Sequence, residues 1–207
     1  MTIEIYPNKS NPVPFQVFLN LEDEQYVQQA LAIADLFEKD IDADGQFDME
    51  KAMDTAKNQA DLAIVATTNT TLTKSYKTLS ALTSSITKAL EEQGTMGVSD
   101  NEQFNNVIAH AFCDLNAQQD KPWFNICSVA GKDADKTVYT YNMFIITQNA
   151  STGSMLAAGP LVLTVTIHDP IEEVLGKKDE TQKLRLTLKE QEMSIAIKGF
   201  QVVAPLG

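Results

Sequence analysis

The sequence predicts an α+β fold, and three observations carry that prediction. Apolar residues recur at three- and four-residue spacing through much of the first half of the chain. From Trp123 onward the period changes to two. Helices therefore precede strands rather than alternating with them, which favours α+β over a doubly wound sheet. One apolar and one polar side per strand is the signature of an antiparallel sheet, and the amphipathic helices can cover its apolar side. At 207 residues and 43% hydrophobic, the chain suits one domain with a continuous core.

Residues 1–13 are polar, contain Pro7 and Pro12, and read as an arm; residues 14–207 read as the domain. A first strand is expected at 14–20, where Phe15, Val17 and Leu19 alternate with Gln16 and Phe18. The first helix is expected at 22–39. Its stripe of Tyr26, Ala30, Ile33, Ala34 and Phe37 is widened by Val27, Leu31 and Leu36, as in a helix covered on more than one side. A second helix, 48–60, places Met49, Ala52, Met53 and Ala56 on one face. In 62–75 the run of Thr with Leu62, Ile64 and Val65 favours extended structure, with a continuing helix as the alternative.

The third helix, 76–92, uses Leu79, Leu82, Ile86 and Leu90, and Gly94 and Gly97 end it. The fourth opens on Ser99 and Glu102 in a capping-box pattern. Phe104, Val107, Ile108, Ala111, Phe112 and Leu115 then follow at helical spacing. Strands are expected at 137–147, 159–168, 181–190 and 192–203. Each reaches the roughly 9–11 residues that cross a bilayer as a β-strand, yet the same alternation fits any half-covered sheet.

Composition excludes several functions. A formal net charge of −12 argues against nucleic acid, whose binding depends on neutralising phosphates, and against strongly anionic lipid. No apolar run approaches the roughly 20 residues of a membrane helix, and MTIEIYPNKS lacks the features of a secretory signal. No nucleophile elbow, P-loop, zinc-binding HExxH or dinucleotide-binding glycine pattern is present, so no enzyme is expected. His110 and His168 read as surface or capping residues, and Trp123 with the tyrosines as core or interface aromatics rather than a sugar site. Cys113 and Cys127 read as free thiols, with a disulfide as the alternative.

One segment invites a metal reading. Asp40, Asp42, Asp44 and Asp48 alternate as in the first nine positions of an EF-hand loop, and Gly45 would allow its sharp turn, so Ca²⁺ is a candidate ligand. The twelfth position departs from that pattern, being Lys51 where a bidentate Glu is needed. The other reading is an acidic interhelical turn whose Asp48 caps the second helix.

Several stretches together resemble one family. They are Tyr26-Val27-Gln28-Gln29-Ala30-Leu31-Ala32-Ile33-Ala34-Asp35-Leu36-Phe37, then Phe112, Leu115, Asn116 and Gln118, then Trp123. Tyr139, Tyr141, Asn142, Gln148, Asn149, Ala150, Thr152 and Gly153 follow, and Ala204-Pro205-Leu206 closes the series. Their order across 15–206 resembles the cytolytic delta-endotoxin (Cyt) family of membrane-active, pore-forming toxins. The resemblance implies a single three-layer α-β-α domain, a central antiparallel sheet flanked by helical hairpins. It also implies a toxin or virulence factor that binds zwitterionic phospholipid directly, displaces its helices and inserts strands as an oligomer, with no cofactor required. A soluble dimer exchanging residues 1–13 is a further implication. The membrane-active candidates are Tyr139, Tyr141, Met143, Leu161, Leu163, Val165, Ile167, Leu184, Leu186, Leu188, Ile195 and Ile197. The alternative is a non-lytic module of the same fold that docks on lipid or a host ligand, a reading that the polar third helix (Ser80, Ser84, Ser85, Thr87, Lys88) supports.

Overall fold

The computed structural model describes residues 3–5, 13–94, 101–130, 135–148, 155–176 and 192–207. Its strands are β1 (Ile3–Ile5), β2 (Gln16–Asn20), β3 (Ala63–Ser75), β4 (Phe124–Val129), β5 (Lys136–Thr147), β6 (Met155–Ile167) and β7 (Glu192–Pro205). Its helices are α1 (Val27–Asp35), α2 (Met49–Lys57), α3 (Leu79–Glu92), α4 (Asn101–Ala109), α5 (Leu115–Gln118) and α6 (Ile171–Val174). The stretch 62–75 is extended, as its β-branched residues favour. The expected strand at 181–190 and Ser99 of the capping box lie outside the described residues.

The strands form one sheet in the order β1-β2-β5-β6-β7-β3, with β4 beside β5. All pairs are antiparallel except β2 and β5, which run parallel with Gln16 opposite Met143. The central sheet is therefore mixed, a correction to the all-antiparallel expectation. The N-terminal segment, read as an arm, contributes β1 to one edge, where Ile3 pairs with Asn20.

Helices lie on both faces of the sheet, giving three layers. One core joins α3, α4 and the 3-10 turn His110–Phe112 to one sheet face, through Leu82, Ile86, Leu90, Phe104, Ile108 and Phe112. The other joins α1 and α2 to the opposite face, through Ala30, Ile33, Phe37, Ala52 and Ala56 against Phe144, Phe200 and Val202. Complete burial of Leu82, Ile86 and Leu90 contributes roughly 1.5–3 kcal/mol each. Thr78 and Asp48 begin α3 and α2 by accepting hydrogen bonds from Ala81 N (3.1 Å) and Lys51 N (3.1 Å). Asp48→Ala should cost about 1 kcal/mol, read as a lower thermal midpoint with unchanged secondary structure.

Halfway along β6 and β7 the two backbones come unusually close. A Cβ at Gly159 would stand 1.9 Å from the carbonyl oxygen of Phe200, and one at Gly199 would stand 2.6 Å from that of Pro160. Both positions therefore require glycine for space rather than for backbone conformation.

Candidate membrane-active sheet

Nine of the twelve candidate residues lie together on one face. Tyr139, Tyr141 and Met143 of β5, Leu161, Leu163, Val165 and Ile167 of β6, and Ile195 and Ile197 of β7 all belong to the core beneath α3 and α4. None is more than 4% exposed. The pleat puts alternate residues on one side, and the pairing brings Tyr139 opposite Val165 and Leu163 opposite Ile197. Leu184, Leu186 and Leu188 lie outside the described residues.

The opposite face changes character along its length, which alternation did not reveal. Beside α1 and α2 it is apolar, with Phe144, Ile146, Leu156, Ala158, Val162, Phe200, Val202 and Ala204. The strands there are covered on both sides, a correction to the expectation of one polar side throughout. Unbroken apolar runs such as Met143–Ile146 were the available signal. Beyond the reach of those helices the same face is polar. One row runs Thr140, Thr164, Ala196 and Thr71, and the next runs Val138, Thr166, Ser194 and Thr73. Exposure rises across these rows towards β3, where Thr71 and Thr73 are open to solvent. Among the described residues, this end of the sheet thus has an apolar side under helices and a hydroxyl-rich side on which no helix lies, buried at Thr140 of β5 and open at β3.

The helical layer over the apolar side holds together internally. Thr87 Oγ1 donates to Asn105 Oδ1 at 2.7 Å and ties α3 to α4. Its last turn is locked by Gln118 Nε2, which donates to the carbonyls of His110 (2.9 Å) and Cys113 (2.8 Å). Trp123 Nε1 donates to Gln118 Oε1 at 3.4 Å and packs at the margin of the core, so it reads as a structural aromatic. Cys113 is half-buried and Cys127 exposed, and no disulfide joins them.

The layer also shields titratable groups. Tyr139 is fully buried, its hydroxyl has no hydrogen-bond partner, and burial drives its pKa well above the ordinary 10. Burial also raises the Tyr141 pKa, and its hydroxyl donates to Gln16 Oε1. Both phenols ionise more readily in the unfolded chain, so the stability they lend is complete below pH 10 and lost as pH rises beyond it. The expected result is a thermal midpoint that falls above pH 10, with a smaller fall in a Tyr141→Phe variant. His110 is exposed, but its ring packs on Phe18 at 5.6 Å, and this partial desolvation lowers its pKa against the opposing pull of Asp114. Its contribution has the opposite sense, present above pH 6.5 and lost as pH falls.

The acidic 40–48 loop folds as a self-contained turn. Asp42 Oδ1 accepts from the backbone N–H groups of Asp44 and Gln46, each at 2.9 Å, and Gly45 takes φ 76°. Asp48 caps α2, while Asp40 is fully buried. Lys51 brings Nζ to 3.9 Å from Asp40 Oδ1 and donates to the carbonyl of Lys39. The residue at the twelfth position of the loop thus supplies an ammonium beside the buried carboxylate. Among the described residues, no group of three or more His, Cys, Asp or Glu side chains gathers at metal-binding distance. Asn142 Nδ2 donates to the carbonyl of Gly45 at 2.6 Å, and Asn125 Nδ2 to that of Asp44 at 3.1 Å, fastening the loop to the sheet.

No helix among the described residues is long and apolar enough to cross a membrane, which leaves strands unaddressed. A family model described as Bacillus thuringiensis toxin matches residues 3–206. A type-2Aa cytolytic delta-endotoxin from Bacillus thuringiensis subsp. kyushuensis is 30% identical over 155 residues, covering 73% of this chain and 59% of that protein. A type-1Ba cytolytic delta-endotoxin from subsp. neoleoensis is 27% identical over 185 residues, covering 83% of this chain and 68% of that protein. The chain spans about three-fifths of the length of the type-2Aa and type-2Bb relatives. In fold it is similar to the activated Cyt2Ba monomer from subsp. israelensis, with TM-score 0.78, 20% identity and coverage of 94% of this chain and 99% of that one. A second delta-endotoxin structure gives TM-score 0.79 at 23% identity, covering 100% of this chain and 91% of that one. With its sequence matched almost from end to end and its layers shared with these toxins, the chain belongs to the Bacillus thuringiensis toxin family, among the cytolytic delta-endotoxins.

Proposed function

We propose that this protein is a cytolysin that binds phospholipid directly and permeabilises the target-cell membrane by helix displacement and strand insertion. One observation carries the reading most. The rows of β6 and β7 that bury Val165 and Ile195 under a helical layer carry half-buried Thr164, Thr166 and Ser194 on the side that no described helix covers. Lipid could replace the helices as the apolar partner while the hydroxyl side stays in water. Inserted strands cannot leave open edges in hydrocarbon, so closure by several copies is part of the proposal. The net charge of −12 points to zwitterionic rather than anionic lipid.

The proposed action uses no catalytic step and no cofactor. Ca²⁺ at Asp40, Asp42, Asp44 and Asp48 would have to compete with the Lys51 ammonium beside Asp40. Titration with millimolar Ca²⁺ should therefore give no binding heat, and a saturable signal would restore the metal reading.

Dye release from neutral phosphatidylcholine vesicles tests the function. Release that rises with protein concentration is expected. Vesicle binding without release would favour the non-lytic docking module, to which the exposed Ser80, Ser84 and Lys88 of α3 are suited. Neither binding nor release would remove the membrane reading.

A further inference from the structure

The two helical layers are held to the sheet by different forces, and the difference decides which of them lipid can replace. The α3–α4 layer rests on large apolar side chains. Leu82, Ile86, Leu90, Phe104, Ile108 and Phe112 are each at most 3% exposed. The Thr87–Asn105 bond and the bonds from Gln118 to His110 and Cys113 fasten that layer to itself. Its bond to the approach of β4, from Trp123 Nε1 to Gln118 Oε1, is long at 3.4 Å. Polar atoms are stranded beneath it. The Tyr139 hydroxyl has no hydrogen-bond partner. Neither have Asn20 Oδ1 and Thr147 Oγ1, whose residues share a crevice between α4 and the ends of β2 and β5 with Phe18, Phe104, Val107 and Ile145. Buried groups left unpaired weaken a contact.

The α1–α2 layer is the reverse. Its helices bury Ala30, Ala34, Ala52 and Ala56, each at most 2% exposed, beside Ile33 and Thr55. They therefore bring little apolar area to the contact. Directional bonds fasten it instead. Gln29, in the first turn of α1, donates through Nε2 to the carbonyl of Pro205 at 2.7 Å and accepts at Oε1 from the Gly207 N–H at 3.1 Å. It thus clasps the end of β7. The loop that joins α1 to α2 is held by Asn125 of β4 and Asn142 of β5, which donate to the carbonyls of Asp44 (3.1 Å) and Gly45 (2.6 Å). Stacked rings reinforce these clasps, with Phe37 on Phe144 at 5.1 Å and Phe47 on Phe15 at 5.0 Å.

A lipid chain offers apolar contact and no hydrogen bond. It can stand in for what holds α3–α4 and not for what holds α1–α2. We propose that the α3–α4 layer is the detachable cover of the sheet, and that α1–α2 stays with the sheet as a fixed part of it. The sheet then meets lipid with one face. The inference names the layer that moves, and its role at a membrane rests on the function proposed above.

Hydrogen exchange of the 207-residue chain in dodecyl maltoside micelles tests it apart from any action on membranes. Amides of α3 and α4 should exchange at least about tenfold faster than in buffer, while those of α1 and α2 stay within about twofold. Gln29→Ala combined with Asn125→Ala should let α1 and α2 open in micelles as well. Unchanged protection of α3 and α4, loss of both layers together in the unaltered chain, or indifference of α1 and α2 to the paired substitution would each overturn the proposal. The same exchange on phosphatidylcholine vesicles, beside dye release, separates the two readings. Opening of α3 and α4 in micelles with no release from vesicles would leave this inference standing and remove the cytolysin. Release accompanied by unprotected α1 and α2 would keep the cytolysin and remove this inference.

Discussion

Joining Cys113 to a cysteine placed at Tyr139 should abolish vesicle leakage until the bond is reduced. Cys113 closes the 3-10 turn after α4, and after burial it is the next cause that raises the pKa of both Tyr139 and Tyr141 of β5. The neighbouring Phe112 ring stands 6.4 Å from that of Tyr139. A disulfide in a Tyr139→Cys, Cys127→Ser variant would therefore staple the helical layer to the face that it must leave. Losing the Tyr139 ring will lower stability, by about 3 kcal/mol or more if the cavity stays open. The decisive comparison is thus internal to the variant, oxidised against reduced. Mass spectrometry establishes closure of the bond, whose formation needs Cα atoms about 4.4–6.8 Å apart. Full leakage from completely oxidised protein would rule out displacement of this layer and leave a surface-disrupting action in its place.

Gly159→Ala should prevent the fold from forming. The added methyl would meet backbone on β7, with the Phe200 oxygen at 1.9 Å and its carbonyl carbon at 3.0 Å. No side chain can move aside to relieve that clash, so β6 and β7 would have to separate in the middle of the sheet. Overpacking a core commonly costs about 1–3 kcal/mol, and a fixed backbone obstacle belongs above that range. That would consume much of the roughly 5–15 kcal/mol available to a domain. The expected result is insoluble or protease-sensitive protein. Gly45→Ala is the control. It meets nothing within 4 Å and strains only φ 76° in an exposed turn, so it should fold.

The parts of this architecture that local periodicity can encode were legible in the sequence. Phe104, Val107, Ile108, Ala111 and Phe112 recur as a helix face requires, and they face the sheet. Yet α4 stops at Ala109, and His110–Phe112 tightens into a 3-10 turn held by Gln118. That change depends on a side chain eight residues on, in the next helix, so apolar spacing could not signal it. The alternation of Leu161, Leu163, Val165 and Ile167 marked one buried face correctly, but not how far helices cover the other. Pairing order was the least legible property. Nothing local in Gln16–Asn20 says that it runs parallel to Met143–Thr147, because register between remote strands is set by the assembled sheet. Ile3–Ile5 is too short to announce itself as a strand at all.

The remote pairing also dictates the tempo at which the molecule can be made. On a ribosome, β2 emerges long before Met143, and β3 long before Val203, its partner at the far end of the chain. The helices that follow each must wait for the same late strands before their apolar faces have anything to cover. Loop-closure entropy for these contacts is lost before any sheet pairing repays it, so folding should be slow and essentially post-translational. During that interval the hydrophobic stripes of α1, α3 and α4 remain available to neighbouring nascent chains, and yield should depend on synthesis rate and temperature more than on the stability of the finished protein.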